Sequence, residues 1–409
     1  MALVSVTLLT GAAEVVTCVS ADAASVRTAA AIAVEDGRIA EVGDASAMLA
    51  KYERAQRIAC DGMVITPGFI DSHTHTVFGG YRAAEYAMRA QGVPYMEIAR
   101  QGGGINASVR DIRSRSEDEL AELTRDRLAQ MLRTGTTTAE IKSGYGLDTA
   151  SELKQLRAVR QVMHDGWDVI PTFLGAHEFP AEYREDREAY VRLLTDEMIP
   201  AVAAEGLAGF CDVFCEPGVF TPAQSRRILS AGRDHGMIPK LHADELENSG
   251  AAELAAEMDA ASADHLAAIS EAGVRALASS STVATLLPTT MLFLGKTRYA
   301  PARALIDSGA RVALATDFNP GSSPTSSMAL VLTLACSQMG MTPLEAIVAA
   351  TAGGAAALRI EDGRGTITAG APADLIAWGV PDHREIPYHF GSTPIRLVLK
   401  RGRPAFSCL

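Results

Sequence analysis

Eight times between residue 67 and about residue 320, a short apolar run ends on a polar or ionisable residue and gives way to an Ala, Leu and Glu-rich stretch of helical period. The runs are GFIDSHTH, TTTAEIKSG, VIPTFLGAH, CDVFCEP, IPKLHADE, ASADHL, TVATLLP and RVALATDFN. Their ends are marked by His75, Lys142, His177, Cys215, His242, His265, Pro288 and Asp317. After a longer first interval these marks lie 23 to 38 residues apart, which is room for one strand and one helix per unit. Eight parallel strands with covering helices close into a (β/α)8 barrel of the TIM type, an α/β fold whose active site sits at the carboxyl ends of the strands. The first interval holds YRAAEYAMRAQGVPYMEIARQGGGI, which reads as a helical stretch and a glycine-rich turn.

Outside the repeats the pattern changes to alternation punctuated by glycine turns: VSVTLLTG and AAIAVEDGRIAEVG at the start, RGTITAGAPADLIAWGV and IRLVLKRGRP at the end. Neither end alone would bury a useful core, so the two are expected to pair. The expected layout is one small β-sandwich made of residues 1–66 and 363–409, with the catalytic barrel at 67–362 between them. A chain of 409 residues suits a large domain with a smaller companion.

Composition narrows the function. With 37 basic against 49 acidic residues the formal charge is −12, which offers no general attraction to nucleic acid or an anionic membrane. A small anionic substrate is compatible, because local arginines decide that matter. Six cysteines, at 18, 60, 211, 215, 336 and 408, show neither a disulfide framework nor a CxxC knuckle, and a reducing compartment fits them best. Cys211 and Cys215 stand four apart on a strand, about 13 Å, too far to share one ion. The apolar opening has no positive charge before Arg27 and reads as a first β-strand rather than a secretory signal. No run of about twenty apolar residues suggests a membrane span.

The chemistry lies in the strand ends. His73 and His75 are two apart after an apolar run, so on a strand both rings project from one face and can chelate one ion at roughly 2.0 to 2.1 Å. Of nine histidines, five (His73, His75, His177, His242 and His265) fall at strand ends and therefore on one rim. His164, His235, His383 and His389 fall in helices or loops. Asp317 ends the last barrel run before a turn, and closure puts that strand beside the first, so its carboxylate faces the HxH pair. Alone, any one of these is a satisfied structural residue or a turn cap. Together they describe a metal site.

The chain resembles the amidohydrolase superfamily throughout. Within it the chain is similar to the imidazolonepropionase family in PGFIDSHTHTVFGGYRAAEYAMR, IKSGYGLD, TFLGAHEFP, KLHADE, SADHL and LATDFNPGSSPT. The likeness covers nearly the whole chain apart from a loosely matching first fifty residues. It implies a single catalytic divalent ion, zinc or iron, held by His73, His75, His242 and Asp317. The fourth run ends Phe214, Cys215, Glu216, without the lysine that two-metal relatives carbamylate, so a mononuclear site is implied.

The same resemblance implies cytoplasmic hydrolysis of a ring amide, that of 4-imidazolone-5-propanoate, to N-formimidoyl-L-glutamate in histidine breakdown. Such a reaction needs a nucleophile, a polarised carbonyl and a proton donor, and a divalent ion lowers the pKa of water from 15.7 towards about 7. Glu245 would shuttle the proton, His265 would orient the water, and Asp317 would serve both metal and chemistry. Arg82 would read the substrate carboxylate through paired charged hydrogen bonds. Tyr145, between two glycines that let its loop approach a ligand, would stack and donate. His177, Glu245, Asn319, Gly321 and Ser322 would complete the substrate contacts. Thr289 departs from the family pattern, where glycine is expected, and would reshape the pocket edge. The likeness also implies a homodimer. The competing readings are a purine or triazine deaminase on the same fold and a barrel that has become a non-catalytic scaffold.

Overall fold

In the computed structural model, which describes residues 6–93, 97 and 102–409, the eight apolar runs are eight neighbouring strands of one parallel sheet. They are β1 (Phe69–Asp71), β2 (Thr136–Lys142), β3 (Val169–Ala176), β4 (Phe210–Cys215), β5 (Ile238–Ala243), β6 (Ser262–His265), β7 (Val283–Leu286) and β8 (Val312–Leu314). Every residue of β2 is buried, as expected of a strand covered on both faces and opening on three β-branched threonines. The last strand meets the first just beyond their ends: Thr74 bridges Phe318 in parallel, Asp317 N–H donates to His73 O at 3.0 Å, and His75 N–H to Phe318 O at 2.9 Å. These bonds bring Asp317 against the HxH pair.

The covering helices are capped as their sequences suggest. Asp148 accepts from Ser151 N at the start of Thr149–His164, whose Leu156, Val159 and Val162 stripe packs inward. Thr221 and Gln224 form a capping box for Pro222–Asp234. In the long first interval, helix Ala83–Ala90 and helix Ile105–Ser114 precede Glu117–Arg133. Residues 94–96 and 98–101 of the expected helix and turn, and residues 4–5 of the opening strand, lie outside the described residues.

The two ends of the chain do pair. One six-stranded sheet runs Arg403–Ser407, Ile395–Lys400, Leu375–Trp378, Val64–Pro67, Glu14–Val16, Val26–Arg27, so its middle joins early and late segments. A four-stranded sheet of Arg38–Asp44, Ala30–Glu35, Thr7–Thr10 and Gln56–Ala59 shares with it an apolar cluster that includes Leu9, Ile32, Ile65, Leu375 and Leu397. Trp378 fastens this assembly to the barrel. Its ring meets Phe69 edge-on at 5.7 Å, and its Nε1–H donates to Thr66 Oγ1 at 2.9 Å, so the buried indole leaves no polar group unpaired.

Candidate metal and substrate site

At the carboxyl ends of the strands, a cavity of about 130 Å³ is lined by His75, Arg82, Tyr145, His177, His242, Glu245, His265, Asp317, Asn319 and Ser322, together with Ile105 and Phe214. His73 lies fully buried against it. A larger cavity of about 290 Å³ sits by the amino ends of β2 and β3, where Leu128, Leu132 and Trp167 line it with Asp165, Asp168 and Lys400, and no histidine does. Convergence of ionisable groups, not size, marks the first as the site.

The imidazoles crowd together. Ring centroids are 4.5 Å apart for His73 and His242, 5.3 Å for His73 and His75, and 5.5 Å for His75 and His242. Asp317 Oδ1 lies 3.6 Å from His73 Nε2 and 3.4 Å from His75 Nε2. Ligand atoms of His73, His75 and Asp317 form one metal-capable group, and His242 joins two more, one with His73 and His265, one with His75 and His177. The geometry therefore gathers all four expected ligands but does not by itself separate His265 and His177 from them.

Unpaired atoms test the fit. Nε2 of His73 and Nε2 of His242 are buried without a hydrogen-bond partner. On the far side of each ring, His73 Nδ1 is 2.6 Å from Asp264 Oδ2, and His242 Nδ1 is 3.1 Å from Asp212 Oδ2, close but poorly aligned. Carboxylates behind Nδ1 favour the tautomer whose Nε2 lone pair is free, the arrangement that ligating histidines use. Burial first, then the Lys142 ammonium and the neighbouring rings, holds His73 well below the usual imidazole range, and burial takes His242 down to about 4. Burial alone would raise Asp317, but the neighbouring His75 and His265 and the Thr290 hydroxyl outweigh it and keep the carboxyl below its ordinary range. Neutral imidazoles beside an ionised carboxylate are a donor set that suits one divalent ion.

The loop after β5 separates two adjacent acids. Asp244 turns to the helix Ala251–Glu257 and accepts from Ala251 N and Ala252 N, doing the helix-start work. Glu245 faces the cavity, with Oε2 at 3.6 Å from His265 Nε2. Burial raises its carboxyl. Glu216, just after β4, holds that loop by accepting from the backbone of Glu245, Leu246 and Glu247 at 3.1, 3.2 and 2.7 Å. His265 and Asp317 both adopt positive φ, +81° and +53°.

On the substrate side, Arg82 Nε is buried without a hydrogen-bond partner, and Glu85 Oε2 lies 3.7 Å from it. Gly321 lies against Arg82: a Cβ there would fall 1.3 Å from the Arg82 Nη2 atom as placed. His177 stacks on His75 at 5.0 Å and 18°, with Nδ1 2.9 Å from Gly144 O. The glycines around Tyr145 differ from the expectation. A Cβ on Gly144 would lie 2.8 Å from Leu174 O and one on Gly146 2.6 Å from the backbone of Ser151, so they let the loop approach the chain itself. Buried Glu152 pins that loop by accepting from Gly144, Gly146 and Leu147 N–H. Asn319 lines the cavity, yet its amide is committed to Asp317 O, Ser322 Oγ and the N–H groups of Gly321 and Ser322.

Thr289 does not reshape the pocket edge. It is buried away from the cavity, where Oγ1 donates to Thr316 O at 2.8 Å, while Thr290 Oγ1 donates to Asp317 Oδ2 at 2.6 Å. The six cysteines are free, Cys211 and Cys215 are buried, and no described metal-capable group contains either. Among the described residues no helix is long and apolar enough to cross a membrane.

The profile of the amidohydrolase family matches residues 64–404, and that of an imidazolonepropionase-like composite domain of bacteria matches residues 30–52. A protein of Myxococcus xanthus named imidazolonepropionase is 48% identical over 94% of this chain and 92% of its own. Another so named, from Symbiobacterium thermophilum, is 47% identical over 97% and 96%. The chain belongs to the imidazolonepropionase family of amidohydrolases. As a member it is a hydrolase acting on carbon–nitrogen bonds. Solved structures share the family's fold at low identity: a zinc-bound adenosine deaminase of Xanthomonas campestris (TM-score 0.72, 20% identity, 98% and 93% of the two chains) and a 5-methylcytosine deaminase of Klebsiella pneumoniae (0.73, 16%, 98% and 98%).

Proposed function

We propose that this protein hydrolyses 4-imidazolone-5-propanoate to N-formimidoyl-L-glutamate, a cytoplasmic step of histidine breakdown, with one zinc or iron ion held by His73, His75, His242 and Asp317. The observation that carries the substrate is the half-buried Arg82 guanidinium, lining the same small cavity as the histidines with an Nε that makes no hydrogen bond. A planar guanidinium matches a propionate carboxylate with two charge-assisted hydrogen bonds. The family relatives carry the same reading through their names.

When bound, the ion supplies Lewis acidity and an acidified water at neutral pH. The residues do the rest. Arg82 anchors the carboxylate and sets the depth of the ring, and Tyr145 and His177 flank it. Glu245 Oε2, turned into the cavity and raised by burial, takes a proton from the attacking water and returns it to the departing ring nitrogen. Water's oxygen bonds to the carbonyl carbon as the ring C–N bond breaks; one water proton ends on the nitrogen, and the new carboxyl group releases the other to solvent as it ionises. His265, 3.6 Å from Glu245, orients the water and offsets charge on the carbonyl oxygen.

The test follows imidazolone loss by ultraviolet absorbance in the wild type and Arg82→Ala. Arg82→Ala is expected to raise KM by about 10²-fold or more, the loss of a charged bidentate contact. Imidazolone turnover unaffected by the change, or better turnover of a purine or triazine ring in either protein, would overturn the substrate assignment.

A further inference from the structure

The inside of the barrel beneath the histidines is charged. Lys142 on β2 and Lys240 on β5 are fully buried, together with Glu140, Asp212 and Asp264. Lys142 Nζ lies 2.7 Å from Asp212 Oδ2, 2.9 Å from Glu140 Oε2 and 3.6 Å from Asp264 Oδ2. Lys240 Nζ lies 3.0 Å from Glu140 Oε1, donates to Ser72 O at 3.1 Å, and stays 3.9 Å from Asp264. Thr172 Oγ1 donates to Glu140 Oε1 at 2.5 Å.

Such a cluster is a poor way to stabilise a barrel. Packed apolar residues of the same volume commonly do as well or better, because each buried charge has lost its hydration. Its connections suggest another purpose. The oxygen of Asp212 that meets Lys142 is the one 3.1 Å from His242 Nδ1, and the oxygen of Asp264 nearest Lys142 is the one bonded to His73 Nδ1 at 2.6 Å. One ammonium thus reaches both carboxylates that stand behind two of the rim imidazoles.

We propose that Lys142 is a positioning residue for the metal centre, holding Asp212 and Asp264 so that His242 and His73 present their Nε2 atoms to a single point. This rests on the reading of His73 and His242 as ligands. Lys240 braces Glu140 and is secondary. Without the Lys142 ammonium the two carboxylates swing free, and the rings behind which they stand lose their common aim.

The experiment compares wild type, Lys142→Met and Lys240→Met as purified full-length chains stripped of metal and checked for folding by circular dichroism. Zn²⁺ affinity is read by chelator competition, and ligand geometry by the visible absorption of the Co²⁺-loaded protein. Lys142→Met is expected to bind Zn²⁺ about 10- to 100-fold more weakly, with a shifted Co²⁺ band, and Lys240→Met to change less. Wild-type affinity and an unchanged band in Lys142→Met would overturn the role, as would equal losses in both lysine variants, which mark general loosening of the barrel. If Lys142→Met does not fold, Lys142→Gln, which keeps an N–H donor but shortens the reach and removes the charge, decides: weaker Zn²⁺ binding with a shifted Co²⁺ band supports the proposal and unchanged binding overturns it. A wild type that takes up neither ion defeats the ligand assignment itself, whereas a wild type that binds beside an equally competent Lys142→Met defeats only the positioning role.

Discussion

Asp244 and Glu245 are neighbours of similar chemistry, and their surroundings give them different work. Asp244 spends its oxygens on Ser249, Ala251 and Ala252 N–H groups, whereas Glu245 is turned into the cavity towards His265 with burial raising its carboxyl. Glu245→Gln keeps the volume and removes the proton carrier. Its kcat for the imidazolone should fall by about 10²- to 10⁴-fold, with metal content and KM close to wild type. Turnover near the wild-type rate in a steady-state assay would take Glu245 out of the chemistry. The residues that motifs announce, His73, His75, His242 and Asp317, were legible because an ionisable group at the end of an apolar run has few bland explanations. Asp212, Asp264 and Lys240 were not, and Lys142 showed only as the end of a strand. Whether a charge inside a strand points to solvent, to a helix or to the barrel axis depends on which strands lie beside it. Once the parallel order is known, Glu140 and Lys142, two apart on one strand face, become readable as interior groups.

At the level of elements, the strand periodicity was strong enough to locate all eight barrel strands, because each is bounded by a helix with its own period. The segments between β7 and β8 were harder. A short helix, Pro288–Phe293, follows β7 directly, and the sequence gives no hint that its two threonines turn toward the chain after β8. Thr289 there secures Thr316 O and Thr290 secures Asp317 Oδ2, so the helix stiffens the carboxylate from behind. Thr290→Val preserves the shape and deletes the donor. Zn²⁺ should then dissociate more readily, with affinity down about 10-fold, while the melting temperature of the metal-free protein moves little. A large fall in that melting temperature with unaltered Zn²⁺ affinity would make the hydroxyl a packing feature instead.

Over the whole molecule, the terminal sheets and the barrel meet at an ionic junction as well as at Trp378. Asp168, immediately before β3, lies 2.5 Å from Lys400 Nζ, 2.8 Å from Arg401 Nη2 and 3.5 Å from Arg364 Nη1, and all three cations come from the end of the chain. Burial alone would raise the Asp168 carboxyl, but these cations outweigh it and hold it below 3.8. A carboxyl depressed in the folded state stabilises the protein above its unfolded pKa, and that stabilisation is lost as pH falls through the folded value. Asp168→Ala also leaves Lys400 with Asp374 alone among its close carboxylates. The variant should lose about 2 to 4 kcal/mol at pH 7, read by urea unfolding of the metal-loaded protein. Because the unfolded chain begins to bind the proton first, the gap between wild type and variant should stay constant from pH 7 to about 5 and narrow below about 4. A gap that is already closing at pH 6 would mean that some group other than Asp168 carries the junction.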